Sequence, residues 1–209
     1  MEPFSKLTAV AVPLDDASID TGRIFPSRYL RKPRSAGYGN FLFRDARFDA
    51  EGNERPDFIM NLPPYRAARI LVTGPNFACG SSREPAVYAL FDGGFRCVIA
   101  PSYGDIFFSN CFRNGVLPVI LPPEQVQDLR QQLHAAPGAA VTVDLEQQGV
   151  TAPDGRVLSF DIDASRKLRL LQGLDDASLA LECLPQIEAF EARYRAGRPW
   201  ACNTSLLDI

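Results

Sequence analysis

An α/β domain built on a mixed sheet is the fold class that the sequence predicts, and three observations carry it. Short apolar runs alternate with helix-patterned segments through residues 69–121, as in parallel strands joined by covering helices. Two later segments, residues 141–145 and 157–162, alternate apolar and polar residues like half-buried strands. A chain of 209 residues with 46% hydrophobic and 22% charged content can bury a useful core without disulfide or metal staples.

The elements follow in order. Residues 7–14 are apolar and rich in small and β-branched side chains, and read as a strand entering a core. Residues 15–23 are a polar loop and residues 24–30 a short turn or helix. Residues 31–64 are irregular, broken by Gly37, Gly39, Gly52, Pro56, Pro63 and Pro64 and anchored by aromatic side chains. A structureless segment of that length is usually functional or packed on a partner. Residues 69–73 read as a buried strand, 74–82 as a loop of small residues, and 84–92 as a helix closed by Gly93 and Gly94. Residues 97–100 form the next strand, 103–113 a helix ended by Asn114 and Gly115, and 117–121 a further strand. In residues 123–135, Val126, Leu129 and Leu133 repeat at helical spacing. After the two alternating strands, separated by an Asp154–Gly155 turn, helices are expected over residues 165–172 and 185–195. The domain is taken as residues 1–196, with a polar tail over 197–209.

Composition excludes several classes. A net charge of -3 does not suit a nucleic-acid binder, and the local cluster Arg28, Arg31, Lys32 and Arg34 reads as a solvated or subunit-facing loop. The first twelve residues lack the pattern of a signal peptide, and no apolar run approaches a membrane span, so a cytoplasmic protein is expected. Five cysteines (Cys79, Cys97, Cys111, Cys183, Cys202) stand at wide spacings without a Cys-x-x-Cys pair, and His134 is the only histidine. No local ligand set for zinc or an iron–sulfur cluster is present, so no metal ligands are expected on this chain. Cys79 and Cys111 read as buried small side chains, His134 as an exposed residue in a last helical turn, and Asp105 and Asn110 as packing or hydrogen-bonding groups.

The chemistry-bearing stretch is Asn76-Phe77-Ala78-Cys79-Gly80-Ser81-Ser82-Arg83-Glu84, between a strand and a helix. Small residues there let backbone N–H groups face an anion, and the helix dipole adds positive potential. Arg83 offers a planar fork suited to a carboxylate. A serine in such a nest would have its alkoxide stabilised by N–H donors, without which a hydroxyl is far too weak a base. A purely structural reading competes: Ser81 and Glu84 match a Ser-x-x-Glu capping box, and Pro85 suits an early helical position.

The stretch resembles the Gly-Ser-Ser-Arg-Glu loop of the aconitase superfamily, in the form found in isopropylmalate isomerase small subunits. Ile19-Asp20-Thr21-Gly22-Arg23-Ile24-Phe25-Pro26 is similar to that family's Val-Asp-Thr-Asp-x-Ile-Ile-Pro. The run from Gly94 to Phe107, which includes Ile99-Ala100-Pro101-Ser102-Tyr103-Gly104-Asp105, and then Asn110-Cys111-Phe112-Arg113-Asn114-Gly115 continue the match, as do Val143-Asp144-Leu145-Glu146 and Leu171-Gln172-Gly173-Leu174-Asp175. Ordered matches extend over about residues 7–192. The resemblance implies a swivelling β/β/α domain that closes over a 4Fe-4S cluster, held in the two-subunit enzymes by a large partner subunit. It implies that Ser81 is the base removing a carbon-bound proton, that Arg83 grips a substrate carboxylate, and that Ser82 positions the loop. Asp20 and Thr21 are weaker candidates for substrate binding, which a plain Asx turn explains nearly as well.

Two positions depart from the family pattern. Its second Asp is Gly22 here, and its His after Arg-Glu is Pro85. Either the substrate is isopropylmalate in leucine biosynthesis, or another hydroxy-diacid of the methylmalate/citraconate or homoaconitate type. A non-catalytic interaction module that kept the fold is the third reading, against which intact Ser81 and Arg83 count.

Overall fold

A computed structural model describes residues 1–80, 83–198 and 200. The chain divides into two compact units, one spanning Met1–Gly173 and the other beginning at Leu174. The first unit contains strands β1 (Lys6–Leu14), β2 (Ile70–Thr73), β3 (Cys97–Ala100), β4 (Leu117–Ile120), β5 (Ala140–Asp144), β6 (Gly149–Thr151) and β7 (Val157–Ser159). Its helices are α1 (Thr21–Ile24), α2 (Arg44–Arg47), α3 (Pro85–Asp92), α4 (Asp105–Arg113), α5 (Pro123–Ala135) and α6 (Ala164–Gln172). The second holds α7 (Asp176–Glu182) and α8 (Leu184–Gly197).

The seven strands form one mixed sheet in the order β4-β3-β2-β1-β5-β6-β7. The nine-residue β1 joins its two halves. Its first part, from Lys6 to Val10, pairs antiparallel with β5, and its second, from Ala11 to Leu14, pairs parallel with β2. β2, β3 and β4 continue the parallel half, and β6 and β7 complete an antiparallel meander. Burial follows this division: β2 and β3 are buried at every position, as parallel strands covered on both faces must be, whereas β5 alternates. Pro118 is tolerated because β4 lies at the sheet edge.

Each face of the parallel half has its own core. On one face, Val12, Leu71, Val98 and Ala100 pack with Val87 and Leu90 of α3 and Phe107 and Cys111 of α4. On the other, Ile70, Val72, Cys97, Ile99 and Val119 pack with Val126, Leu129 and Leu133 of α5, the three residues whose spacing marked that helix. Each of those three is fully buried, which stabilises the fold by about 1.5–3 kcal/mol per side chain.

Residues 31–64 pack in part on this chain. Short 3-10 turns and α2 fold them onto the first face, where Tyr38, Leu42, Phe43 and Met60 join the core. Tyr29 stacks on Phe41 at 4.2 Å, and Phe25 meets Tyr38 at 4.7 Å. The basic cluster is partly paired within the chain: Arg28 with Asp45, and Arg34 with Asp92 at 2.5 Å.

Besides α2, in the stretch read as irregular, three elements were not foreseen. Residues 21–24, placed in a polar loop, form α1 because the Asp20 carboxylate caps Gly22 and Arg23 N–H groups. β6 is too short to show a period, and α7 precedes α8 where one helix was expected. Much of the expected tail, residue 199 and residues 201–209, lies outside the described residues.

Candidate functional site

Because β1, β2 and β3 are parallel, their carboxyl ends share one edge, and the loops that follow them meet there. A crevice beyond the carboxyl ends of parallel strands is the usual ligand position in open α/β sheets. Among the described residues, the loops involved are 15–20, 74–80 and 101–104.

The middle loop runs against ordinary backbone preference. Asn76 (φ 58°), Ala78 (φ 57°) and Gly80 (φ 84°) all lie in the left-handed region. A residue with a β-carbon loses about 1–2 kcal/mol there, less for Asn, so neighbours must hold it. On one side, Ser102 Oγ accepts the Asn76 N–H at 2.8 Å, Ser102 carbonyl accepts the Phe77 N–H at 3.0 Å, and Gly104 N–H donates to Phe77 carbonyl at 2.9 Å. A β-carbon on Gly104 would lie 2.5 Å from the Ala78 carbonyl oxygen, so this approach requires glycine. On the other side, Ser18 N–H donates to Pro75 carbonyl at 2.9 Å, Asn76 Nδ2 to Ser18 Oγ at 3.0 Å, and Thr21 N–H to Cys79 carbonyl at 3.2 Å. The side chain of Phe77 is fully buried and meets Phe107 edge-on at 5.4 Å.

A cleft of about 210 Å³ opens between residues that follow β1 and residues that follow β2. Asp20, Thr21 and Arg83 line it together, so three sequence-predicted site residues converge. Ser81 and Ser82 lie outside the described residues. Arg83 is exposed, and no ion pair occupies its guanidinium among the described residues, which leaves the fork available to an anion. Asp20 Oδ1 instead accepts the Gly22 N–H at 2.7 Å and the Arg23 N–H at 3.1 Å, the capping role that an Asx turn implied. Sequence reasoning did not single out Phe25, Ser27, Leu30, Cys79 or Ala86 as wall residues. Phe25 lay within the quoted motif, but nothing in sequence marks which face of a short helix meets another loop.

The capping-box reading loses its register. Helix α3 starts at Pro85 with Glu84 as N-cap and no side-chain cap bond, so Glu84 is not the third helical residue. The Glu84 carboxylate instead accepts from Asn114 Nδ2 at 2.9 Å. Pro85 takes the early helical position expected of it.

The remaining candidates separate cleanly. Cys97 and Cys111 are sealed in the core, where desolvation pushes both thiols well up. Cys79 is only half-buried and its thiol reaches the Ser18 carbonyl at 3.4 Å, so it is a cavity-wall residue rather than a core one. His134 is exposed in the last turn of α5 and meets Asp15 at 2.9 Å. Asn110 is buried, and Asp105 is exposed in the first turn of α4. Among the described residues, no three His, Cys, Asp or Glu side chains gather where they could hold a metal ion. A cluster therefore does not fit the described side chains of this chain. No helix among the described residues is long and apolar enough to cross a membrane.

Comparison with known proteins places this geometry. The aconitase C-terminal domain model matches residues 1–124, and the LeuD_N model matches residues 127–164. The 3-isopropylmalate dehydratase small subunit of Dinoroseobacter shibae is 52% identical over 200 residues, covering 96% of this chain and 100% of that protein. This chain belongs to the aconitase C-terminal domain family, among the 3-isopropylmalate dehydratase small subunits. A Jannaschia relative of the same description is 51% identical over the same shares. A crystal structure of 3-isopropylmalate dehydratase (leuD) from Methanocaldococcus jannaschii superposes with a TM-score of 0.64 at 23% identity, covering 88% of this chain and 99% of that one. Membership in the dehydratase small-subunit family bears out the resemblance read from the loops, and the mixed sheet is the swivelling fold that the resemblance implied.

Proposed function

We propose that this chain is the small subunit of a cytoplasmic, two-subunit, iron–sulfur-dependent hydro-lyase. It interconverts 2-isopropylmalate and 3-isopropylmalate by loss and re-addition of water, a step of leucine biosynthesis. Supporting this reading is the Arg83-lined cavity beyond the carboxyl ends of β1 and β2, in a chain half identical to dehydratase small subunits.

Arg83 binds one substrate carboxylate through its planar fork, which orients the diacid as well as neutralising it. Ser81 removes the proton from the carbon that carries one carboxylate and adjoins the hydroxyl-bearing carbon. The Ser81 hydroxyl becomes basic enough only where N–H donors stabilise the alkoxide. Ser82 steadies the loop, while Thr21 contributes a polar wall and Asp20 keeps that wall folded by capping α1. A 4Fe-4S cluster carried by the large subunit supplies the Lewis acid for the departing hydroxyl.

The test is co-purification with a large subunit, followed by an anaerobic hydratase assay on isopropylmalate, methylmalate/citraconate and homoaconitate-type diacids. Turnover is expected to be fastest with isopropylmalate. Ser81→Ala abolishes it, and Arg83→Lys lowers kcat/KM by about 100-fold, the loss of one charge-assisted hydrogen bond of about 3 kcal/mol. Full turnover by Ser81→Ala would remove the base assignment. Faster turnover of another diacid would move the substrate, a result that Gly22 in the cavity wall makes worth including.

A further inference from the structure

The left-handed turn at Asn76 is tied to a hydroxyl from a different loop. Ser102, in the β3–α4 connection, accepts the Asn76 N–H through Oγ at 2.8 Å and the Phe77 N–H through its carbonyl at 3.0 Å. The two bonds differ in what can be removed. The carbonyl bond survives any side-chain change at Ser102, and the Phe77 ring remains fully buried against Phe107. The Oγ bond disappears with the hydroxyl. Asn76 (φ 58°) and Ala78 (φ 57°) then have less to hold them in a conformation that side chains disfavour. Arg83, seven residues beyond Asn76 in the sequence, lines the cavity.

We propose, resting on the function given above, that Ser102 is a positioning residue whose hydroxyl fixes the turn at Asn76 and so sets how the loop presents Arg83 to a dicarboxylate. Ser102 itself is not among the residues that line the cavity. Because the core anchor at Phe77 is untouched, its loss acts on local order and not on global stability.

The test uses the assembled two-subunit enzyme with Ser102→Ala and Ser102→Thr. In Ser102→Ala, kcat/KM for the diacid falls about tenfold, most of it in KM, as expected for one lost hydrogen bond acting on substrate grip. The melting temperature stays within about 2 °C of the parent. Ser102→Thr, which keeps a hydroxyl, returns kcat/KM to within about twofold. Amide exchange in a peptide covering residues 74–80 rises about tenfold in Ser102→Ala and not in Ser102→Thr. Unchanged exchange in Ser102→Ala, equal losses in both variants, or an activity loss that tracks a fall in melting temperature would each overturn the positioning role. Should the parent complex turn over no diacid, the proposed function fails, and the exchange comparison alone decides Ser102: a rise confined to Ser102→Ala upholds it, and no rise overturns it.

Discussion

Gly22 and Asp20 form a pair that a double-mutant cycle can take apart. A β-carbon on Gly22 would lie 2.9 Å from Asp20 Oδ1, the atom that accepts the Gly22 N–H at 2.7 Å and the Arg23 N–H at 3.1 Å. Gly22 needs no left-handed backbone, because it is absent from the positive-φ glycines. Replacing it with Ala therefore stabilises by about 0.4–1 kcal/mol through the unfolded chain. Against that gain stands the cap. Moving Oδ1 away forfeits about 1 kcal/mol of capping. In the parent the two effects nearly cancel, and Gly22→Ala leaves the melting temperature almost unchanged. In an Asp20→Ala background the cap is already gone, so Gly22→Ala stabilises by its full amount, about 1–4 °C for a chain of this size. The cycle thus yields a coupling of about 1 kcal/mol, read by urea denaturation of the four proteins. Additivity within about 0.3 kcal/mol would refute the steric account of Gly22. The same crowding bears on Gly22→Asp, which restores the family's second carboxylate. It brings like charge against Asp20 as well as a clashing β-carbon, and is expected to lower stability without raising turnover.

Two other predictions follow from the cysteines and the caps. Under native conditions a thiol reagent modifies Cys183 and Cys79 but leaves Cys97 and Cys111 intact, because desolvation holds the buried thiols protonated. A dicarboxylate that occupies the Arg83 cavity slows modification of Cys79 alone, as peptide mass mapping would read, and equal slowing at Cys183 would separate Cys79 from the cavity. For pH dependence, Asp163 caps α6, and hydrogen bonds from Ser165, then Arg166, hold its carboxyl below the usual 3.8. A depressed folded pKa means that the unfolded chain binds more protons in this range, so the contribution is full above about pH 4 and fades as pH falls further. The melting-temperature gap between parent and Asp163→Ala should shrink between about pH 5 and pH 3, and a gap constant with pH would remove the charged cap as its cause.

What the sequence disclosed and what it hid differ by the range of the interactions responsible. Helix α5 and strand β3 were found at their observed bounds because a single period of apolar residues decides each. The parallel half was legible for the same reason. β6, three residues beginning with Gly149, carries no period, and only its pairing with β5 and β7 makes it a strand. α1 exists because one carboxylate caps two amides. The same pattern holds at the site. Arg83, Asp20 and Thr21 were found from local motifs, and the structure gathers them at one cavity. Phe25, Leu30 and Ala86 were not, because their shared wall arises from three segments meeting in space.

The two departures from the family pattern fall where the clamp on the loop does not need them. Pro85 lacks an N–H, but at the start of α3 that N–H would have no partner within the helix, and Ala86 N–H bonds the Arg83 carbonyl at 3.1 Å. Gly22 contributes its backbone to the Asp20 cap, and the tie from Thr21 N–H to Cys79 carbonyl involves no side chain. The loop's geometry is therefore carried by main-chain bonds and by Ser18 and Ser102, none of which is altered by losing an Asp and a His. Of the two positions, Gly22 lines the cavity, so the missing Asp removes a charge from the cavity wall. Substitution at Gly22 should accordingly move substrate preference while leaving the fixed turn at Asn76 as it is.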